Sequence, residues 1–370
     1  MMELQISRKN YNKVRLVQSH THEKQLKDGE VLVKVDSFAL TANNITYAVV
    51  GDKLGYWQFF PPQLGPDEVG HNEANEHWGI LPVWGFADVV KSNNPEVPEG
   101  ERLFGYFPPS SHLIMHPSGV SESSWIDASE HRAALPVGYN IYRKVMSEPN
   151  YQKSGEAYRM LLYPLHVTAF ALHHYFTSHD WFGAQQVVIT SASSKTSTGL
   201  AYGINNDPKA PKQIGLTSLK NKEMVDNLAV YDKTLAYDEL DSIDASIPSL
   251  IVDMSGNGTL LSELHKHLGD NMKFCSNVGA THWEDMNPGP HFIAQRSEMF
   301  FAPSTLQKII KESGMDGFEK QSAAYLKHSI AQSTKWLKVT DLQGLKAMSD
   351  VFDDVCNGKV SPELGLIIHL

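Results

Sequence analysis

The sequence predicts an α/β protein of two domains, a barrel-like β domain and a doubly wound domain built on a parallel sheet. Three observations predict it. Short alternating stretches separated by Gly and Pro turns fill the first part of the chain, and strands alternate with helices in the middle. The length of 370 residues also exceeds what one core ordinarily accommodates.

In the first part, residues 30–37 alternate apolar and polar side chains like a half-buried strand, with Gly29 marking the turn before it. Residues 84–92 form a second such block, and residues 101–107 a third after the turn Pro98-Glu99-Gly100. The polar segment 61–78, rich in turn formers, reads as a loop. Near Tyr158 the period changes, and residues 161–176 predict a helix entered after Pro164. Strands are then expected at 186–190, 213–216, 249–254 and 273–278, with a weaker one at 234–236. Helices are expected between them at 199–204, 222–228 and 259–267. Such alternation implies a parallel sheet with helices on both faces. Helical patterns at 305–312 and 318–337, a helix at 345–356 and a strand at 364–370 close the chain.

Composition narrows the function classes. A net charge of −10 disfavours nucleic acid and anionic membrane surfaces as partners. No apolar run approaches the roughly 18 residues of a membrane span, and the N-terminus lacks a secretory pattern, so a cytoplasmic location is expected. Two cysteines, Cys275 and Cys356, are too few for a disulfide framework or a cysteine-rich zinc site.

The most informative stretch follows the first strand of the middle region: Thr190-Ser191-Ala192-Ser193-Ser194-Lys195-Thr196-Ser197-Thr198-Gly199. The order strand, tight turn, helix start is where α/β proteins hold phosphate, because helix N–H groups and the helix dipole favour an anion there. Serines stand where a dinucleotide-binding turn carries glycines. Three readings compete. Ser191, Ser193, Ser194, Lys195, Thr196 and Ser197 hold a pyrophosphate; or Ser194-Lys195-Thr196 ends a degenerate nucleoside-triphosphate loop that lacks both its glycines; or the serines cap a helix and bind nothing. The second strand favours the first reading. It ends Thr217-Ser218-Leu219-Lys220, with no acidic residue for a ribose 2′-hydroxyl, so Ser218 and Lys220 suit a 2′-phosphate and NADP(H) over NAD(H).

These pieces resemble a family. Gly29-Glu30-Val31-Leu32-Val33-Lys34-Val35 is similar to the opening strand of the medium-chain dehydrogenase/reductase superfamily. Asn43 and Asn44 lie in a segment resembling its next turn and helix, and Gly100-Glu101-Arg102-Leu103-Phe104-Gly105 resembles its GDRVxG strand. Val167-Thr168-Ala169-Phe170 is similar to the TAY-type helix entering the nucleotide domain, and Gly365-Leu366-Ile367-Ile368 to a closing strand. The likeness is to the zinc-free side, quinone-oxidoreductase-like and enoyl-reductase-like, and closest to a branch known only as a domain of unknown function.

The resemblance implies a GroES-like β-barrel domain over 1–155, completed by 310–370, and a Rossmann domain over 156–309. It extends the expected cofactor contacts to Thr168, Thr217, Ser255, Gly256, Val278 and Gly279. It also implies a catalytic tyrosine at Tyr56 in the loop after the first helix, with Asn43 and Asn44 as neutral donors and Trp57, Phe59 and Phe60 as an apolar wall. No metal is expected: residues 41–44 lack a cysteine and Gly85-Phe86-Ala87 lacks a histidine. His71-Asn72-Glu73-Ala74-Asn75-Glu76-His77 is read as a solvated acidic loop, and the doublets His20/His22, His173/His174 and His265/His267 as surface or satisfied core histidines. The expected function is a zinc-independent NADPH-dependent oxidoreductase of a small carbonyl, enone or quinone, with a small-molecule substrate and a homodimeric state implied by the resemblance. The alternative is a catalytically silent NADP(H)-binding sensor or scaffold.

Overall fold

In the middle of the chain, Gln186–Ile189 is buried along its whole length, as a strand covered on both faces must be. The computed structural model describes residues 1–62, 77–279 and 289–370. It divides into an outer unit, Met1–Leu161 with Lys338–Leu370, and an inner unit, Leu162–Leu337. Of the segment His71–His77, residues 71–76 lie outside the described residues.

The inner unit contains a six-stranded parallel sheet in the order Lys233–Ala236, Lys212–Thr217, Gln186–Ile189, Ser249–Asp253, Met272–Asn277, Ser297–Met299. This is the doubly wound order, running outward from the first strand and then restarting on its other side. The side-chain period of two sorts the core into two layers. Val187, Ile189, Leu250 and Val252 pack with Leu172, Phe176, Leu200 and Ile204 of the helices Glu156–Ser178 and Lys195–Asn205. Val188, Leu216 and Ile251 pack on the opposite face with Leu261, Leu264 and Leu268 of Gly258–Leu268.

Three local features differ from expectation. The helix Glu156–Ser178 begins before Pro164 and carries it inside, forgoing one backbone bond without ending. The two helical patterns after residue 304 form one element, Ala302–Ser333, broken at Gly314 where φ is 72° and ψ 168°. That element belongs to the inner unit, which runs to Leu337 rather than 309, because Tyr325 donates to the Gly199 carbonyl at 2.8 Å and lies over Gly203.

The outer unit is the GroES-like β domain. Its largest sheet runs Lys338–Gln343, Leu364–His369, Val31–Leu40, Val83–Ser92, Arg102–Phe107, Ile141–Lys144, Ser124–Asp127, Pro117–Ser118, with His112–Met115 also on Val31–Leu40. Strand Lys338–Gln343, parallel to Leu364–His369, had no signal in the sequence because its burial is partial and irregular. One arginine ties the sheet together. Arg102 makes a two-toothed pair with Glu156 at 2.6 and 2.7 Å, another with Asp88 at 3.0 and 2.9 Å, and a single bond to Asp36 at 2.7 Å. The pairing register shifts between Val35 and Ser37, so Asp36 is the extra residue of a bulge. No helix among the described residues is long and apolar enough to cross a membrane.

Removing a buried cation that serves three carboxylates leaves Glu156, 7 % exposed, with the Tyr151 hydroxyl but no cation. Arg102→Met is expected to cost about 3 kcal/mol or more in urea unfolding, with Arg102→Met/Glu156→Gln recovering part of the loss.

Candidate functional site

The order of the parallel sheet reverses between Gln186–Ile189 and Ser249–Asp253, and the crevice beyond their carboxyl ends is the ligand position of such sheets. Asp253 locks that crevice. Its buried carboxylate accepts Thr190 Oγ1 at 2.6 Å, Ser255 Oγ at 2.7 Å and the backbone N–H groups of Ser255 and Gly256 at 3.0 and 3.1 Å. Thr190 Oγ1 in turn accepts the Met254 N–H at 2.9 Å. The sequence singled out neither Thr190 nor Asp253, although a hydroxyl and a carboxylate closing two adjacent apolar strands are the available signal.

Between Thr190 and the helix Lys195–Asn205, serines take over three positions with different geometric demands. Ser191 turns the chain with φ of 48°, left-handed backbone that normally calls for glycine. Ser194 caps the helix, its Oγ accepting the Ser197 N–H at 3.1 Å. Ser197 is fully buried where helix meets strand and folds its hydroxyl back onto the Thr190 carbonyl at 3.2 Å. Ser197, expected as a phosphate contact, has its hydroxyl engaged inside the fold.

The remaining turn residues are distributed between fold and surface. Ser193 is buried, and its hydroxyl accepts Asn221 Nδ2 at 3.2 Å and Thr217 Oγ1 at 3.5 Å, stitching the turn to the second strand. Ser191, Ser194, Lys195 and Thr196 stay partly exposed at the helix start. Although Lys195 as a residue is partly exposed, its ammonium end is buried within electrostatic reach of His166, and that burial pulls it down to about 8. Beneath this helix lies a residue the sequence reading missed, His166. Its Nδ1 is 2.9 Å from Ser329 Oγ, burial lowers it to about 3, and a Cβ on Gly199 would meet its ring at 2.6 Å. Gly199 is thus the glycine that helix packing requires, below the turn rather than in it.

At the second strand end Ser218 is partly exposed and Lys220 exposed, beside Leu219, which is 73 % exposed. Lys222, next on that helix, is paired with Glu239 at 2.5 Å. Gly256, with φ of 67°, and Gly279 line the edges of neighbouring strands, where a Cβ at Gly279 would fall 2.0 Å from the Met254 carbonyl oxygen. Val278 donates its N–H to the Asp253 carbonyl at 2.8 Å. Two further residues expected as cofactor contacts are engaged within the protein. Ser255 is fully buried and spends its hydroxyl on Asp253, and Thr168 donates to the Pro164 carbonyl of its own helix at 3.1 Å.

In the outer unit, Tyr56 is buried with its hydroxyl 2.9 Å from that of Tyr139, among the rings of Tyr47 and Phe59. Burial raises the phenols of Tyr56 and Tyr139 well above the ordinary tyrosine range, so both stay protonated. Asn43 is half-buried and reaches Tyr47. The Asn44 Oδ1 accepts the Thr41 N–H at 2.8 Å and its Nδ2 donates to the Pro82 carbonyl at 2.9 Å, so its amide serves the capping box of Ala42–Val49. Trp57, Phe59 and Phe60 are core as well. Trp57 fills a slot between Gly51 and Gly79, where a Cβ would come within 2.3 and 2.5 Å of its ring, and the Arg132 guanidinium lies 4.9 Å over Phe60. Among the described residues no three His, Cys, Asp or Glu side chains gather in metal-holding geometry.

Ser191 offers a clean measurement. Glycine loses only a 3.4 Å contact to Tyr237 and relieves the left-handed backbone, so Ser191→Gly is expected to stabilise the protein by up to about 1 kcal/mol, seen as a raised Tm.

With this geometry in place, comparison with known proteins is informative. No curated protein matches the sequence. Solved structures match over the whole chain: CurA from Vibrio vulnificus in complex with NADPH, at TM-score 0.60 and 14% identity over 100% of this chain and 99% of that one. The yhdH oxidoreductase from Salmonella enterica in complex with NADP matches at TM-score 0.52 and 14% identity over 100% of both chains. A mutant form of enoyl thioester reductase from Candida tropicalis matches at TM-score 0.54 and 11% identity, again over 100% of both. These likenesses establish the fold, that of the medium-chain dehydrogenase/reductase superfamily. Residues 38–361 match the family described as "Protein of unknown function (DUF2855)", and the chain belongs to that family.

Proposed function

We propose that the protein is an NADP(H)-dependent oxidoreductase, working without a catalytic zinc on a small carbonyl, enone or quinone. The observation that carries the reading is the turn at the sheet's switch point, where the helix Lys195–Asn205 starts directly beyond the strand end and Ser191, Ser194 and Thr196 are partly exposed. The second strand end supports the phosphorylated cofactor, since Ser218 and Lys220 stand where an acidic residue would repel a 2′-phosphate. Two of the fold's neighbours, CurA and the yhdH oxidoreductase, are described in complex with NADPH and NADP.

The residues fit the cofactor. Ser191, Ser194, Lys195 and Thr196 would hold the pyrophosphate, with the left-handed turn at Gly256 beside them at the neighbouring strand end. A bound nicotinamide supplies or accepts hydride. Tyr56, kept protonated by burial, acts as a neutral donor to a carbonyl or enolate oxygen, with Tyr139 as its hydrogen-bond partner and Asn43 as an accessory donor. A second reading, a dinucleotide sensor without turnover, is favoured by the deep burial of Tyr56. A substrate screen that follows NADPH absorbance separates the two.

Fluorescence titration tests the cofactor: NADPH is expected to bind at least tenfold tighter than NADH, and ATP-only binding refutes the reading. Lys195→Met is expected to weaken NADPH binding by roughly tenfold or more. Because burial depresses the Lys195 ammonium to about 8, its charge is present below that pH and lost above it. Wild-type affinity is therefore expected to fall as pH rises through about 8, with a flatter profile in Lys195→Met. Tyr56→Phe is expected to lower kcat at least tenfold with NADPH affinity unchanged; an unchanged kcat removes Tyr56 from the chemistry.

A further inference from the structure

The helix Lys195–Asn205 has a second end, roughly 15 Å from the phosphate turn at 1.5 Å per residue. There the inner unit holds a cavity of about 400 Å³, in the size range of small-molecule sites. Its walls are rings: Phe170, His173 and Tyr325, with Phe170 and Tyr325 edge to face at 5.6 Å and His173 and Tyr325 at 6.0 Å. His174 and His328 also line it. Gly203 makes the arrangement feasible, since a Cβ there would fall 2.4 Å from the Tyr325 hydroxyl.

The charge at this cavity is negative. Asp207 contributes a carboxylate, with one oxygen held by the Lys209 N–H at 2.9 Å and the other 3.6 Å from His173 Nε2. Burial lowers His173 against the pull of Asp207, and lowers His174 against Glu312 with help from Lys308, so both imidazoles are neutral near pH 7. The carboxyl ends of Lys195–Asn205 and Glu156–Ser178 both lie here, adding the negative pole of two helix dipoles. Aromatic faces, a carboxylate and two negative helix ends select a positive ligand and disfavour an anion.

We propose that this cavity is a binding site for a small organic cation, a protonated amine or amidine whose charge meets Asp207 and whose carbon frame lies against Phe170 and Tyr325. The site is separate from the dinucleotide crevice and does not rest on the assignment of that crevice.

Three probes of one shape and different charge test it on the full-length protein by isothermal titration calorimetry: benzamidinium, benzamide and benzoate. Benzamidinium is expected to bind at least tenfold tighter than benzamide, with no measurable benzoate binding. Asp207→Asn keeps the acceptor for the Lys209 N–H and should bring benzamidinium and benzamide within about twofold of each other. Ala324→Trp, at an exposed position on the cavity wall, should abolish binding of benzamidinium and benzamide while leaving the thermal melt intact. Equal binding of benzamidinium and benzamide, tighter binding of benzoate, or a charge preference that survives both substitutions overturns the proposal.

Discussion

Asp253 is the constraint on which the inner unit's site depends. The carboxylate sits at the seam where the parallel sheet changes direction, and every donor it accepts comes from a residue that ends a strand or starts a loop. Hydrogen bonds to a charged acceptor are roughly twice as strong as neutral ones, and a buried donor left unmatched costs about 1–3 kcal/mol. The Thr190 hydroxyl is shared between the two strand ends, so the turn beginning at Ser191 inherits its position from Asp253. A crevice that must receive a ligand at atomic distances is thereby held by bonds made entirely within the protein.

Much of this architecture was legible because it rests on periodicity. Val187, Val188 and Ile189 send side chains to alternate faces, and an apolar run of that kind followed by small polar residues identifies a parallel strand and its turn. What stayed illegible depends on partners distant in sequence. Asn44 looks like a free donor until Pro82 and Thr41 occupy its amide, and Ser197 and Ser255 look like phosphate contacts until Thr190 and Asp253 take their hydroxyls. The aromatic segment at Tyr56 shows the same limit. Trp57 belongs to a slot made by Gly51 and Gly79, a fit that no local pattern encodes.

Serine in place of glycine changes how such a turn is stabilised. A glycine turn is permissive and gains order mainly from its ligand, whereas here side chains supply the order. Ser194 caps the helix, Ser193 anchors to Asn221 and Thr217, and Ser197 seals helix to strand. The turn is ordered in advance, which lowers the entropic cost of binding. The cost is the left-handed backbone at Ser191, compatible with a fold whose other strand ends are tightly bonded.

His166 and Gly199 carry a consequence for which substitutions the helix packing tolerates. The imidazole occupies the volume that a side chain on the helix would need, so the two positions form a lock in which each residue is intelligible only with the other. A histidine held neutral there acts as a shaped filler rather than a base. A side chain larger than hydrogen at position 199 would require a smaller residue at 166, so the two positions can change only together.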